Sequence, residues 1–183
     1  EEVVQWQYRV LSLRKWRPQE GWPDVSTHTL LMTNKEWLAP YLKEIKKPED
    51  LKKLDLKTIL NSHLDWEKQT ALNKLAPVKI KVPSGSEIAL EYRNEAAIPV
   101  LAVRLQEVFG LADTPYINEG RTPVLLHLLS PGFKPVQVTE DLRSFWNNTY
   151  FEVKKELKRR YPKHAWPDDP WTAEAVKGVR RKS

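Results

Sequence analysis

Residues 78–92 read VKIKVPSGSEIALEY, and the chain changes character here. Apolar and charged residues alternate in VKIKV and, Ala89 aside, in EIALEY. That is the period of a strand with one buried face. PSGS between the two runs supplies the glycine and proline of a hairpin turn. Ile88, Leu90 and Tyr92 mark one face of the second strand.

Working backward from Val78, the spacing is helical. In VVQWQYRVLSLRKW, Val4, Tyr8 and Leu11 recur at helical intervals, and Pro18 stops the run. Ser26 is placed to cap THTLLMT, Asn34 to cap NKEWLAPYL, Asp55 to cap LKTILNSHL and Asp65 to cap WEKQTALNKL. Pro48 suits the first turn of PEDLKKL.

Working forward, PVLAVR has the apolar run of a buried strand, and LQEVFG reads as a helical turn closed by Gly110. TPVLLHLLSPGFKPVQVT is a second hairpin with SPGFK as its loop. Thr139 is placed to cap a long amphipathic helix in which Leu142, Trp146, Tyr150, Val153, Leu157 and Tyr161 form one stripe. Pro162 ends it, and an extended Pro/Trp segment follows. These elements predict an α+β fold. Residues 1–76 form a group of short helices. Residues 77–171 form a β-rich module of antiparallel hairpins in a small sheet or partly open barrel, with the C-terminal helix. Residues 172–183 form a mobile basic tail.

The 183 residues are 40% hydrophobic and 30% charged, which is ordinary globular composition. Cysteine is absent, so there is no disulfide framework and no thiolate metal site. No apolar run reaches the roughly 18 residues of a membrane span. The opening EEVVQWQYRV is wrong for a secretory signal. The expected location is the cytoplasm, with no membrane partner. Without an initiating methionine, the chain reads as a piece of something longer.

The glycines stand at 21, 85, 110, 120, 132 and 178, too scattered for GxGxxG or a GxxxxGK[ST] phosphate loop. His28, His63, His127 and His164 show no i, i+4 ligand pair. His127, inside VLLHLL, reads as a buried, hydrogen-bonded strand residue. Glu107 is a lone acid, and Asp168 and Asp169 lie on extended chain between prolines, where neighbours point apart. A turn suits them better than catalysis. No catalytic residue, metal ligand or cofactor site is expected in this segment.

The net charge is +6, and residues 151–183 hold ten Lys/Arg against five Asp/Glu. Lys154, Lys155, Lys158, Arg159, Arg160, Lys163 and His164 are the candidate phosphate contacts of a nucleic-acid surface. Arg180, Arg181 and Lys182 add to it. Glu152 and Glu156 are spaced to pair with Lys155 and Arg160. Of the eight tryptophans, Trp6, Trp16, Trp37, Trp66 and Trp146 sit at helix positions that suit core packing. In RRYPKHAWPDDPW (159–171), Tyr161, Trp166 and Pro167 form a candidate strap against the domain.

APVKIKVPSGSEIALEY, PVLAVRLQEVFG, TPVLLHLLSP, PVQVTEDLRSFWNNTYFEVKKELKRRYPKHAWPDDP and WLAPYL at 37–42 together resemble the C-terminal region of HrpB-type bacterial ATP-dependent helicases. These are relatives of the DEAH-box RNA helicases. The resemblance runs from about Trp22 to Pro170. It implies an accessory domain of a helicase whose ATP- and Mg-binding motor domains lie upstream, and a nucleic-acid partner, RNA ahead of DNA. By analogy with C-terminal modules of related helicases, residues 78–138 are a candidate OB-like barrel. The alternative function is a structural or protein-docking module that braces the motor domains or binds another protein.

Overall fold

The structure, a computed structural model, describes residues 1–179. The chain folds as two units, residues 1–76 with 92–97, and residues 77–91 with 98–179.

The first unit is helical. Its long element is α1 (Glu2–Trp16), followed by the short helices α2 (Thr27–Met32), α3 (Asn34–Trp37), α4 (Ala39–Leu42), α5 (Pro48–Leu51) and α6 (Leu56–Asn61), and by α7 (Trp66–Leu75). Ser26, Asp55 and Asp65 cap α2, α6 and α7, each side chain accepting from a backbone N–H of the first turn. Asn34 is instead the first residue of α3, and no side chain caps that helix. The buried face of α1 is Trp6, Val10 and Leu13, not the expected Val4, Tyr8 and Leu11. Polar side chains decide that choice. Gln7, Arg9 and Ser12 are buried as well. Arg9 donates from Nε to the Ala76 carbonyl at 2.7 Å and from Nη2 to Asn73 Oδ1 at 2.9 Å, tying α1 to the last turn of α7. Helix C-termini leave carbonyls unpaired, and a guanidinium satisfies two acceptors at once. Trp6 Nε1 donates to Asn61 Oδ1 at 3.0 Å. Gln5 exchanges two hydrogen bonds with the main chain of Tyr92, which brings residues 92–97 into this unit. Trp66 departs from the core role assigned to it and is 79% exposed on the first turn of α7.

The second unit holds the sheet. Strands β1 (Lys79–Lys81), β2 (Glu87–Glu91), β3 (Val100–Arg104), β6 (Leu125–Leu129) and β7 (Pro135–Thr139) lie in that spatial order, while β4 (Tyr116–Ile117) and β5 (Thr122–Pro123) form a separate two-stranded ribbon. Both expected hairpins form, with Ile80 opposite Ile88 and Leu126 opposite Thr139. The pair β3–β6 is parallel, so the sheet is mixed rather than wholly antiparallel. A parallel pair needs a crossover. Residues 105–124 provide it, beginning with a buried 3₁₀ turn, Leu105–Val108. The strand order ends at β1 and β7, with no pair joining them among the described residues. Of the two expected forms, the strands take that of a small sheet, and no closed barrel is present among the described residues.

The C-terminal helix starts later than expected. Thr139 ends β7, and Asp141 is the cap, accepting from Ser144 N at 3.0 Å. The helix runs through α8 (Leu142–Ser144), a π-turn (Phe145–Thr149) and α9 (Tyr150–Arg160). The stripe is legible in burial: Leu142, Trp146, Tyr150 and Leu157 are buried, and Phe145 joins them through the wide turn. Trp146 Nε1 donates to the Leu111 carbonyl at 2.7 Å. His127 faces away from this core and is half-buried, because Leu126 and Leu128 take the inward positions of β6.

Candidate nucleic-acid interface

One face of α9 is apolar, and the other carries the cations. Lys155 pairs with Glu152 at 3.3 Å and Arg160 with Glu156 at 3.9 Å, the two helical pairs that the spacing predicts. Lys154 is turned toward the chain that follows the helix, where it binds the Asp168 carboxylate with its side chain only 15% exposed. The hydrogen bond from Lys154 holds the Asp168 carboxyl below its usual range, and the more distant charge of Lys158 acts in the same direction. Lys158, Arg159 and Lys163 are exposed and make no ion pair among the described residues. His164 is half-buried, and its Nδ1 is buried without a partner. Burial first, and the charge of Arg104 second, lower its pKa, so the imidazole is neutral near pH 7. Arg180, Arg181 and Lys182 lie outside the described residues.

After Tyr161 the chain doubles back along the unit. Trp166 Nε1 donates to the Tyr161 carbonyl at 2.9 Å, satisfying an acceptor at the end of α9. Tyr150 Oη donates to the Pro167 carbonyl at 2.8 Å, and Gly110 N donates to the Pro170 carbonyl at 2.8 Å. Asp169 takes a turn role through its carbonyl, which accepts from the N–H groups of Thr172 and Ala173. Farther on, Val176 N donates to the Gln106 carbonyl at 3.1 Å. Residues 161–176 thus lie against the unit through main-chain bonds at several points.

The β6–β7 loop meets the end of α9. A Cβ added at Gly132 would stand 2.6 Å from Tyr161 Oη, so any larger residue here requires the phenol to move. The loop closes through Phe133 N to the Ser130 carbonyl at 2.9 Å and Lys134 N to Ser130 Oγ at 3.1 Å. Phe133 sits at its tip with φ +63° and is 63% exposed. A bulky residue there is a backbone outlier costing about 1–3 kcal/mol. The guanidinium carbon of Arg104 lies 4.7 Å from its ring centroid. Arg104 is in turn held by Glu107 at 3.1 Å. Burial pushes the Glu107 carboxyl up, but hydrogen bonds from Ser86, Ser84 and Arg104 outweigh it and leave the pKa below its ordinary value.

The sequence over residues 37–170 matches the HrpB C-terminal family model, described as an ATP-dependent helicase C-terminal domain. The chain belongs to this family. It is 42% identical over 182 residues to the ATP-dependent RNA helicase HrpB of Escherichia coli strain K12, an alignment covering 100% of this chain and 22% of the relative. The crystal structure of the E. coli DExH-box NTPase HrpB is similar with a TM-score of 0.91 at 43% identity, covering 96% of this chain and 22% of that one. A second crystal structure, of the E. coli DEAH/RHA helicase HrpB, gives 0.75 at 42% identity, covering 90% and 21%. The chain therefore spans 22% of the length of the curated relative it matches.

In this HrpB C-terminal domain, the expected cations divide into two groups. Lys154, Lys155 and Arg160 form close ion pairs with carboxylates, and Lys158, Arg159 and Lys163 form none among the described residues. Tyr161, Trp166 and Pro167 all take part in the contacts of the returning segment. Phe133 and Arg104 were not legible as site residues. The PGF tripeptide in SPGFK marks a turn, but nothing in it fixes which residue takes the left-handed conformation. Among the described residues, no group of three or more His, Cys, Asp or Glu is placed to hold a metal ion, and no helix is long and apolar enough to cross a membrane.

Proposed function

We propose that this domain supplies sequence-independent phosphate contacts to an ATP-dependent helicase, with RNA as the preferred strand. The observation that carries this reading is the cluster of Lys158, Arg159 and Lys163, exposed and outside any close ion pair among the described residues at the end of α9. Cations there also complement the negative end of the helix dipole. That accounts for their position but not for three solvated charges within six residues. ATP and Mg belong to the motor domains of the longer protein. The glycines of this chain are too scattered to cradle a triphosphate.

The test is binding of labelled single-stranded and duplex RNA and DNA across a salt series. Neutralising about three phosphates on a single strand gives log K against log salt a slope near −2. A flat salt dependence, or no binding at low salt by the folded domain, removes the reading. RNA preference over DNA is read from the same four curves.

A second reading, docking onto the motor domains of the same protein, has its own observation. Trp66, Met32 and Leu31 are 79%, 74% and 64% exposed, the most exposed large apolar side chains of the helical unit among the described residues. Trp66→Ser would then weaken association with separately expressed motor domains and leave nucleic-acid affinity unchanged.

A further inference from the structure

Phe133 breaks a local rule. The αL position of a short hairpin loop normally goes to glycine or asparagine, and here it holds an aromatic ring at φ +63°. The ring lies outside the core and is 63% exposed. An outlier whose ring packs only against one guanidinium and leaves its other face open points to function.

Its surroundings say which function. One face of the ring lies against Arg104, with 4.7 Å from guanidinium carbon to ring centroid. Arg104 cannot swing away freely, because Glu107 Oε2 accepts from its Nε at 3.1 Å, and Ser84 and Ser86 hold the other carboxylate oxygen at 2.9 and 2.6 Å. The ring is therefore presented rigidly beside an open groove of about 550 Å³, whose lining includes Lys81, Arg104 and Lys177. Glu87 also lines it and stands opposite Lys81 in the β1–β2 register, so Lys81 is partly offset. Lys177 and Lys134 are exposed and make no ion pair among the described residues. The same loop touches Tyr161, the residue that follows α9.

We infer that the exposed face of Phe133 is a stacking platform for one unpaired base of a single-stranded nucleic acid, with Lys134 and Lys177 placed for the flanking phosphates. Base–aromatic stacking tolerates any base and requires that base to be free of a duplex. This inference rests on the nucleic-acid reading above and narrows it to a strand type and a residue.

The experiment uses the 183-residue chain with a fluorescein-labelled ten-nucleotide oligoadenylate RNA and a ten-base-pair RNA duplex. Phe133→Gly suits the left-handed backbone and keeps the fold, while Phe133→Tyr keeps a stacking ring. Phe133→Gly is expected to lose on the order of tenfold in single-strand affinity, with duplex binding and the salt slope unchanged and the melting temperature no lower. Phe133→Tyr is expected to bind as wild type does. Equal single-strand binding by wild type and Phe133→Gly overturns the stacking role alone and leaves the phosphate contacts standing. If wild type binds neither ligand, the nucleic-acid reading fails and the platform with it.

Discussion

The Tyr150 hydroxyl donates to the Pro167 carbonyl at 2.8 Å, joining the start of α9 to a residue beyond its end. The phenol is otherwise enclosed by rings, edge-on to Trp146 at 5.3 Å and to Phe109 at 6.2 Å between centroids. Burial raises its pKa, so it stays a donor throughout the working range. Tyr150→Phe keeps every ring contact and removes only the donor, leaving the Pro167 carbonyl unpaired. The expected loss is about 1–2 kcal/mol, read as a lower urea midpoint with unchanged slope. An unchanged midpoint would mean that the returning segment is not tied here.

Trp166 tests the same segment from its other side. Its Nε1 satisfies the Tyr161 carbonyl at 2.9 Å, and the ring is half-buried. Trp166→Ala removes a hydrogen bond and apolar area together, for an expected loss of about 2–3 kcal/mol. Thermal denaturation reads this directly, and a melting temperature equal to wild type would end the strap account.

Gly132 and Tyr161 are coupled by space. Gly132→Ala places a methyl 2.6 Å from the phenol oxygen, while the ring carbons Cζ and Cε1 stand at 3.5 and 3.7 Å. Removing the oxygen with Tyr161→Phe leaves room for the methyl. Gly132→Ala alone is expected to destabilise by about 1–3 kcal/mol, and the double variant to recover most of it. Additive losses in a double-mutant cycle would contradict the contact.

Glu107 gives the domain an acid-sensitive element. Burial opposes its charge, but the donors Ser86, Ser84 and Arg104 hold its folded pKa below the ordinary 4.5. A depressed folded pKa means that the unfolded chain binds more protons as pH falls. Stability is then fully present above the unfolded value and is lost progressively below about pH 4.5 as pH approaches the folded value. Glu107→Gln should be less stable at pH 7 and show a shallower decline toward pH 3 in urea titrations. Parallel curves for the two proteins would contradict this.

Local signals were legible and distant ones were not. The PSGS and SPGFK turns with their alternating flanks mark the β1–β2 and β6–β7 hairpins, because a hairpin is specified within a few residues. The caps Ser26, Asp55 and Asp65 are legible for the same reason. Thr139 and Asp141 compete for one helix start, and the choice depends on where β7 stops, which pairing with β6 decides. The parallel β3–β6 pair lies across a crossover with its own small ribbon, so no short-range pattern announces it. On α1 the inward face includes Gln7, Arg9 and Ser12. An apolar stripe search passes over such positions, since the partners of Gln7 and Arg9 lie far along the chain. At the candidate site, the excess of cations was legible. Which of them carboxylates neutralise was legible only for the two helical pairs. Lys154–Asp168 depends on the chain doubling back after Pro162. Phe133 required the backbone conformation itself.

The central claim is that the unmatched cations at the end of α9 contact phosphates. The most direct measurement compares the Lys158→Glu, Arg159→Glu, Lys163→Glu triple variant with Lys155→Glu, whose cation Glu152 already matches at 3.3 Å. Single-stranded RNA affinity would be followed across a salt series. The triple variant is expected to lose nearly all salt-dependent binding while Lys155→Glu stays close to wild type. Equal losses in both, or none in either, would contradict the claim and leave docking onto the motor domains as the function of this domain.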